Sequence, residues 1–252
     1  MSWSLTYEGV NGLHLDLTQP NGSIAALYDG LKGLIGQPER KTESAVTGTG
    51  VVAPQWTTPE LTGTLGIIAD AADMDALYPR LRAAFSPDRE GTLKLTLAGK
   101  TFDLPIVQNE AIPLPVSDPD DETQLEVSIE VAALGGGWLA PERTGTGIVV
   151  IDNPGDVDIY PEIRWSAQTT VTLQSGSTIE LPTVASERRL KTNPDDAYAV
   201  ITAAGVPDPE TANRLTVNAE AIPKRQSRTI KTGTARVAWR PLYWDPIKAV
   251  AQ

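Results

Sequence analysis

Hydrophobic and polar positions change period along the first half of the chain, and each change marks an element. Over residues 61–68, Leu61, Leu65 and Ile67 share one face while Thr62 and Thr64 share the other, the two-residue period of a half-buried strand. Asp70 and Asp73 then open a stretch with Met74, Leu77, Tyr78, Leu81, Ala84 and Phe85 at helical spacing. That spacing makes one apolar stripe to lay against a sheet. Pro79 falls inside the stripe and predicts either a kink or a helix that begins afresh there, with Leu81 and Phe85 facing inward in both cases. After Pro87 and Gly91 the period returns to two. Leu93, Leu95 and Leu97 lead into a two-residue Ala98-Gly99 turn, then Phe102, Leu104 and Ile106. The clearest half-buried strand follows, with Leu125, Val127, Ile129 and Val131 alternating with Glu126, Ser128 and Glu130.

Upstream, residues 4–7 and 13–17 flank Asn11-Gly12, the pair preferred in a type I′ hairpin turn because both central residues need positive φ. His14 falls in the second strand, as a half-exposed strand residue. Ser23 could cap a helix carrying Ile24, Leu27, Tyr28, Leu31 and Leu34 on one side and ending near Gly36 and Pro38. Gly30 and Gly33 argue against that helix, at about 1 kcal/mol each relative to alanine. Residues 37–59 are polar and rich in Thr and Gly, which predicts a long loop or arm. Thr47, Gly48, Thr49 and Gly50 suggest a phosphate cradle only superficially. No Gly-Lys-Ser/Thr follows them and no apolar strand leads in.

Gly135, Gly136 and Gly137, followed by Trp138 and Leu139, mark a domain boundary. Three glycines leave the backbone free, while Trp138 and Leu139 can anchor the crossing against one domain. Beyond it come short strands punctuated by turn residues, the pattern of a sandwich or jelly roll. They are expected at 148–151, 157–165, 169–173, 178–181, 198–202, 215–219 and 235–240, with a turn at Ser175-Gly176. Trp239, Tyr243 and Trp244 close the chain, either as core aromatics on a final strand or as a platform for a sugar.

Composition removes most chemistry. The 252 residues include no cysteine and one histidine, which excludes disulfides, thiolate catalysis and cysteine-built zinc sites. There is no Gly-x-Ser-x-Gly elbow and no His-Glu-x-x-His motif, so the chain is expected not to be an enzyme and to hold no cofactor. Asp118, Asp120, Asp121 and Glu122 cluster in a loop but lack the spacing of an EF-hand, so no metal is expected there. No basic region precedes an apolar core at the N-terminus, and no run approaches the roughly 18 apolar residues of a membrane span. A product made soluble in the cytoplasm is expected. The net charge of −11 is lopsided: residues 1–140 hold 8 Lys and Arg against 19 Asp and Glu, whereas 141–252 hold 13 of each. Two domains with different surroundings follow, or simple solubility.

The order of these features resembles the distal tail (Dit) family of long-tailed, non-contractile phages. The resemblance rests on the N-terminal hairpin, the 61–68 strand, the 74–85 helix, the hairpin at Ala98-Gly99 and the 125–131 strand before the glycines. In the second half it rests on Tyr160, Pro161 and Trp165, the hairpin at Gly176, and the closing run from Val237 to Trp244. It implies a mainly β fold: a belt-like, ring-forming domain with one main helix over 1–134, a linker at 135–141, and a galectin-like β-sandwich over 142–252. It also implies a homo-hexameric ring at the virion tail tip, between the tail tube and tape-measure proteins and the tip, hub and receptor-binding proteins. DNA would pass through an acidic lumen, lined first by Asp118, Asp120, Asp121 and Glu122. A galectin's sugar site needs a histidine and the second half has none, so sugar binding by that route is not expected. The rival readings are a free carbohydrate- or peptide-binding sandwich, and the same ring in a phage-derived injection or gene-transfer particle.

Overall fold

The computed structural model describes residues 3–18, 24–36, 46–47, 50–51, 61–112, 124–133 and 135–250. The N-terminal alternation forms β1 (Trp3–Glu8) and β2 (His14–Asp16), paired antiparallel with Tyr7 opposite Leu15. The turn between them is not the expected two-residue type I′. Gly12 N donates to Gly9 O, Gly9 N donates to Leu13 O, and Gly12 takes φ 78°. This is a three-residue loop closed by a left-handed residue. Asn11 accepts from Leu13 N at 2.9 Å, so its side chain serves the turn while Gly12 alone supplies the positive φ.

The helix expected after Ser23 is instead a strand, β3 (Ile24–Lys32). It pairs with the strand at 61–70, Ile24 opposite Ala69 and Leu31 opposite Leu65, with an irregularity between Ala26 and Leu31. The pairing gains a whole edge of backbone hydrogen bonds, which outweighs a helical spacing already weakened by two glycines. Within the expected arm, β4 (Val46–Thr47) and β5 (Gly50–Val51) form a small antiparallel ladder.

β6 (Leu61–Asp70) and the continuous helix α1 (Ala71–Ala84) follow the predicted switch of period. Pro79 sits inside the helix, and Leu81, Ala84 and Phe85 are buried beyond it. β7 (Gly91–Leu97) and β8 (Lys100–Gln108) form the expected hairpin, with Ala98 and Gly99 at φ 49° and 78°. β9 (Gln124–Ala133) buries Val127, Ile129 and Val131 and lies along the whole of β6. The strand order is β2-β1-β7-β8-β9-β6-β3. Just past β2, Leu17 accepts a hydrogen bond from Ala26 N at 3.0 Å, so the two edge strands meet and the sheet curls towards closure. Its core includes Leu5, Tyr7, Leu65, Ile67, Leu93, Phe102, Leu104 and Ile129. Tyr7 stacks on Phe85 at 4.4 Å and donates to Ala84 O at 2.9 Å. Burial pushes its phenol well above the usual range, so it stays a donor.

β10 (Trp138–Leu139) adds to β8, with Leu139 opposite Asp103. The next segments form a separate unit. They are β11 (Arg143–Asn153), β12 (Glu162–Trp165), β13 (Thr169–Thr172), β14 (Thr178–Leu181), β15 (Arg188–Leu190), β16 (Val200–Thr202), the one-turn α2 (Pro209–Ala212) and β17 (Gln226–Trp239). β17 is its spine: β11 runs along one side, while β13 and β12 share the other. Ile151, Ile163, Trp165, Val171, Ile179, Leu181 and Val237 form its core.

Three expectations here need correction. The strand at 157–165 shrinks to four residues, because Pro161 lacks an N–H for a ladder. Residues 215–219 do alternate, with Leu215 and Val217 packed on the core, yet no strand pairs with them. β15 sits where no strand is expected.

The chain divides into Met1–Ala140 with Tyr243–Gln252, and Pro141–Leu242. The final ten residues therefore group with the first unit rather than with the range 142–252. β18 (Leu242–Tyr243) and α3 (Pro246–Val250) end the chain. Tyr243 meets Phe102 edge-on at 6.1 Å, and Ala249 is buried in the first core.

Candidate functional site

Asp118, Asp120, Asp121 and Glu122, the proposed lumen loop, lie outside the described residues. Trp138 is fully buried, and its Nε1–H donates to Leu34 O at 2.7 Å. Both groups belong to the first unit, so the indole locks the segment after the glycines onto that unit's own core. Leu139 is half-buried beside it on β10. His14 is exposed on β2, 3.9 Å from Glu8, whose carboxylate is held more closely by Lys94 at 2.6 Å.

Of the closing aromatics, Trp239 and Tyr243 are buried and Trp244 is half-buried. Trp239 packs in the second core and Tyr243 in the first. A sugar platform needs an open aromatic face, and these two rings are spent on packing. Among the described residues no group of three or more His, Asp or Glu is disposed to hold a metal ion, and no helix is long and apolar enough to cross a membrane.

Sequence reasoning missed the charged networks of the second unit. Their longer pairs are brought together by the fold, which spacing along the chain does not reveal. Arg164 on β12 donates to Glu162 at 2.6 Å and forms a two-pronged pair with Glu142 at 3.0 and 2.5 Å. Lys191 reaches Glu162 from the other side at 2.7 Å. Burial by itself pushes the Glu162 carboxyl up, but the hydrogen bonds from Lys191 and Arg164 outweigh it and hold the group below its usual range. Arg189 and Arg236 lie opposite Arg164 on either side, and Glu187 sits 3.8 and 3.1 Å from them. A row of like charges across three strands is tolerable only with such counter-charges.

Asp208 is the centre of a separate network. It accepts from Thr211 N and the Thr211 hydroxyl at the start of α2, and from Arg188 Nε at 2.6 Å. The backbone N–H of Thr211, then Arg188, then the hydroxyl hold its carboxyl down at about 2. In both networks the carboxylates face cations that already hold them, an arrangement suited to fixing strands and caps.

No protein-family model matches the sequence, and no curated protein matches it. Solved structures do match. One is the SPP1 Dit (gp 19.1) protein, described as a paradigm of the hub adsorption apparatus in phages that infect Gram-positive bacteria. It is similar with a TM-score of 0.52 and 13% identity, over 96% of this chain and 99% of that one. Another is a chain of the phage P2 baseplate in its activated conformation with Ca, with a TM-score of 0.53 and 10% identity over 96% and 98%. At such identities the agreement lies in the path of the backbone rather than in shared side chains. Over nearly its whole length, this chain has the fold of a phage distal tail (Dit) protein.

Proposed function

We propose that the chain is a structural subunit of a phage tail tip, or of the equivalent phage-derived particle. Six copies would form a ring through the first unit, joining the tail tube and tape-measure proteins to the hub and receptor-binding proteins. The observation that carries this reading is the extent of the structural match, which takes in both units and nearly all of the SPP1 protein. A free sandwich module would match over one unit only. The burial of Trp239 and Tyr243 argues the same way, since it takes two of the three closing rings out of a carbohydrate-binding reading.

The second unit, which we take as the galectin-like domain, would face the partner proteins. Trp138 and Leu139 would hold the crossing between the units by pinning its start to the first core. The surplus of 19 acidic over 8 basic side chains in residues 1–140 suits a lumen that DNA must leave without sticking. Duplex DNA carries a charge about every 1.7 Å, and a basic lining would hold it by counterion release. Asp118, Asp120, Asp121 and Glu122 are our proposed lining.

The test is the mass of the full-length protein in solution together with negative-stain images. Ring-shaped particles of six-fold symmetry, built from 26.9 kDa subunits, are expected. A protein that stays monomeric at every concentration, and that antibody labelling finds away from the tail tip of an assembled particle, would overturn the proposal.

A further inference from the structure

The second unit has three strand edges, and they are treated differently. Beyond β16 the chain folds back over its own edge: Thr202 N donates to Val206 O and Asp208 N to Val200 O, both at 2.8 Å. The β14 edge is only four residues long and carries the exposed Glu180. β11 has neither protection. It is eleven residues long with a register shift between Thr146 and Ile148, pairs among the described residues only with β17, and from Thr144 to Ile151 holds no charge and no proline. Its two large aliphatic side chains on the outer face, Ile148 and Val150, are 75% and 62% exposed. A long, apolar edge without charge or proline is what proteins avoid unless something pairs with it.

The backbone along this edge is oriented for pairing. Val150 lies opposite Thr229 of β17. Thr229 N donates to the Gln174 side chain at 3.0 Å, on the side of β17 away from β11. In an antiparallel ladder that makes Val150 and Thr229 a non-hydrogen-bonded pair, so the Val150 N–H and C=O point outward. The same parity turns Ile148 and Asp152 outward. The apolar side chains and the free backbone groups therefore belong to the same residues.

The geometry points to a second copy of this chain as the occupant, added antiparallel at β11. A strand paired with itself about a two-fold axis must choose its centre, and outward-facing residues allow only a few registers. A centre at Ile148 sets Val150 against Thr146. A centre at Val150 sets Ile148 against Asp152, an aliphatic group against a charge. A centre at Val149 sets Ile148 of one copy against Val150 of the other, twice over, and sends each Asp152 to Thr146. Only this last register buries every exposed aliphatic group of the edge against another and keeps the two Asp152 carboxylates apart. The contact is small, so pairing of isolated units is weak, with Kd roughly micromolar or above. Copies already held in a ring would pair by multivalency. The contact needs only the second unit and stands whether or not the first unit forms rings.

The experiment uses the full chain in sedimentation velocity over a concentration series. Wild type should double whatever assembly it makes: ring to paired ring, or monomer to dimer if no ring forms. Val150→Lys should weaken the doubling at least ~tenfold and leave the smaller assembly intact, since it removes an apolar pair and adds a charge at each of two sites. Ile148→Thr with Val150→Thr, which keeps strand propensity, should do the same if the Lys variant folds poorly. The register is read separately. With no native cysteine, a mixture of Ile148→Cys and Val150→Cys chains should oxidise to the mixed dimer in preference to either homodimer. Opposed residues sit about 5.5 Å apart at Cα, inside the disulfide range. Equal masses for wild type and both variants overturn the pairing. So does failure of the Val150→Lys chain to enter a particle while masses stay equal, because the edge would then serve a different protein.

Discussion

Truncating Trp138 tests how the crossing between the two units is held. The side chain is fully buried in the first core and its indole N–H is bonded to Leu34 O at 2.7 Å. Replacing it with alanine removes the largest fully buried side chain among the described residues and should cost about 3–5 kcal/mol. Replacing it with phenylalanine keeps most of the apolar volume but leaves the Leu34 carbonyl buried and unpaired, at about 1–3 kcal/mol. For a unit of this size, 1 kcal/mol moves the melting temperature by about 2–4 °C. The alanine variant should therefore melt roughly 6–20 °C lower and the phenylalanine variant roughly 2–12 °C lower. Differential scanning calorimetry of the full chain is the assay, because two units give separable transitions where a single two-state fit would mislead. Only the transition of the first unit should move. If alanine shifts neither transition by more than about 1 °C, the indole is not a packed group. If phenylalanine costs as much as alanine, the hydrogen bond rather than the volume is decisive. Either result refutes the reasoning from burial.

A methyl group at Gly63 should break the β3–β6 pairing, since a Cβ there would lie 2.2 Å from Lys32 O. Gly63→Ala should lower the first melting transition by several degrees and expose β3 amides to hydrogen exchange, and unchanged exchange would show that β3 is not held there. The second unit should lose stability as pH falls from about 4 to about 2. Asp208 ionises at 3.8 by itself and at about 2 when folded, so its contribution is complete above the first value and gone below the second. Acid melting of Asp208→Ala should lack that step, and an unchanged profile would discount the network. Changing Asp118, Asp120, Asp121 and Glu122 to Asn and Gln should leave DNA release from an assembled particle close to normal. Changing them to Lys should slow it, more so at low salt. Equal release from both particles would reduce the acidic surplus to a matter of solubility.

The chain itself determined the elements whose signal is local. The period of two in Leu93, Leu95 and Leu97, the positive φ supplied at Ala98-Gly99, and the helical stripe ending in Leu81 and Ala84 all need only near neighbours, and each has its expected form. So does the mainly β character of both halves. What tertiary structure decided is which signals found partners. Residues 24–32 carry a helical spacing, yet β6 offered an edge whose hydrogen bonds a helix there would have left open. Leu215 and Val217 alternate like a strand, yet they pack on the core without a ladder. The ion pairs Arg164–Glu142 and Arg188–Asp208 join residues 22 and 20 positions apart, which no spacing rule encodes. Trp138 shows the division most clearly. The sequence marked it as an anchor, because a tryptophan after three glycines has to pack somewhere. The fold alone chose the first core and the Leu34 carbonyl, 104 residues earlier, because a buried indole N–H needs an acceptor that only the folded chain brings to it.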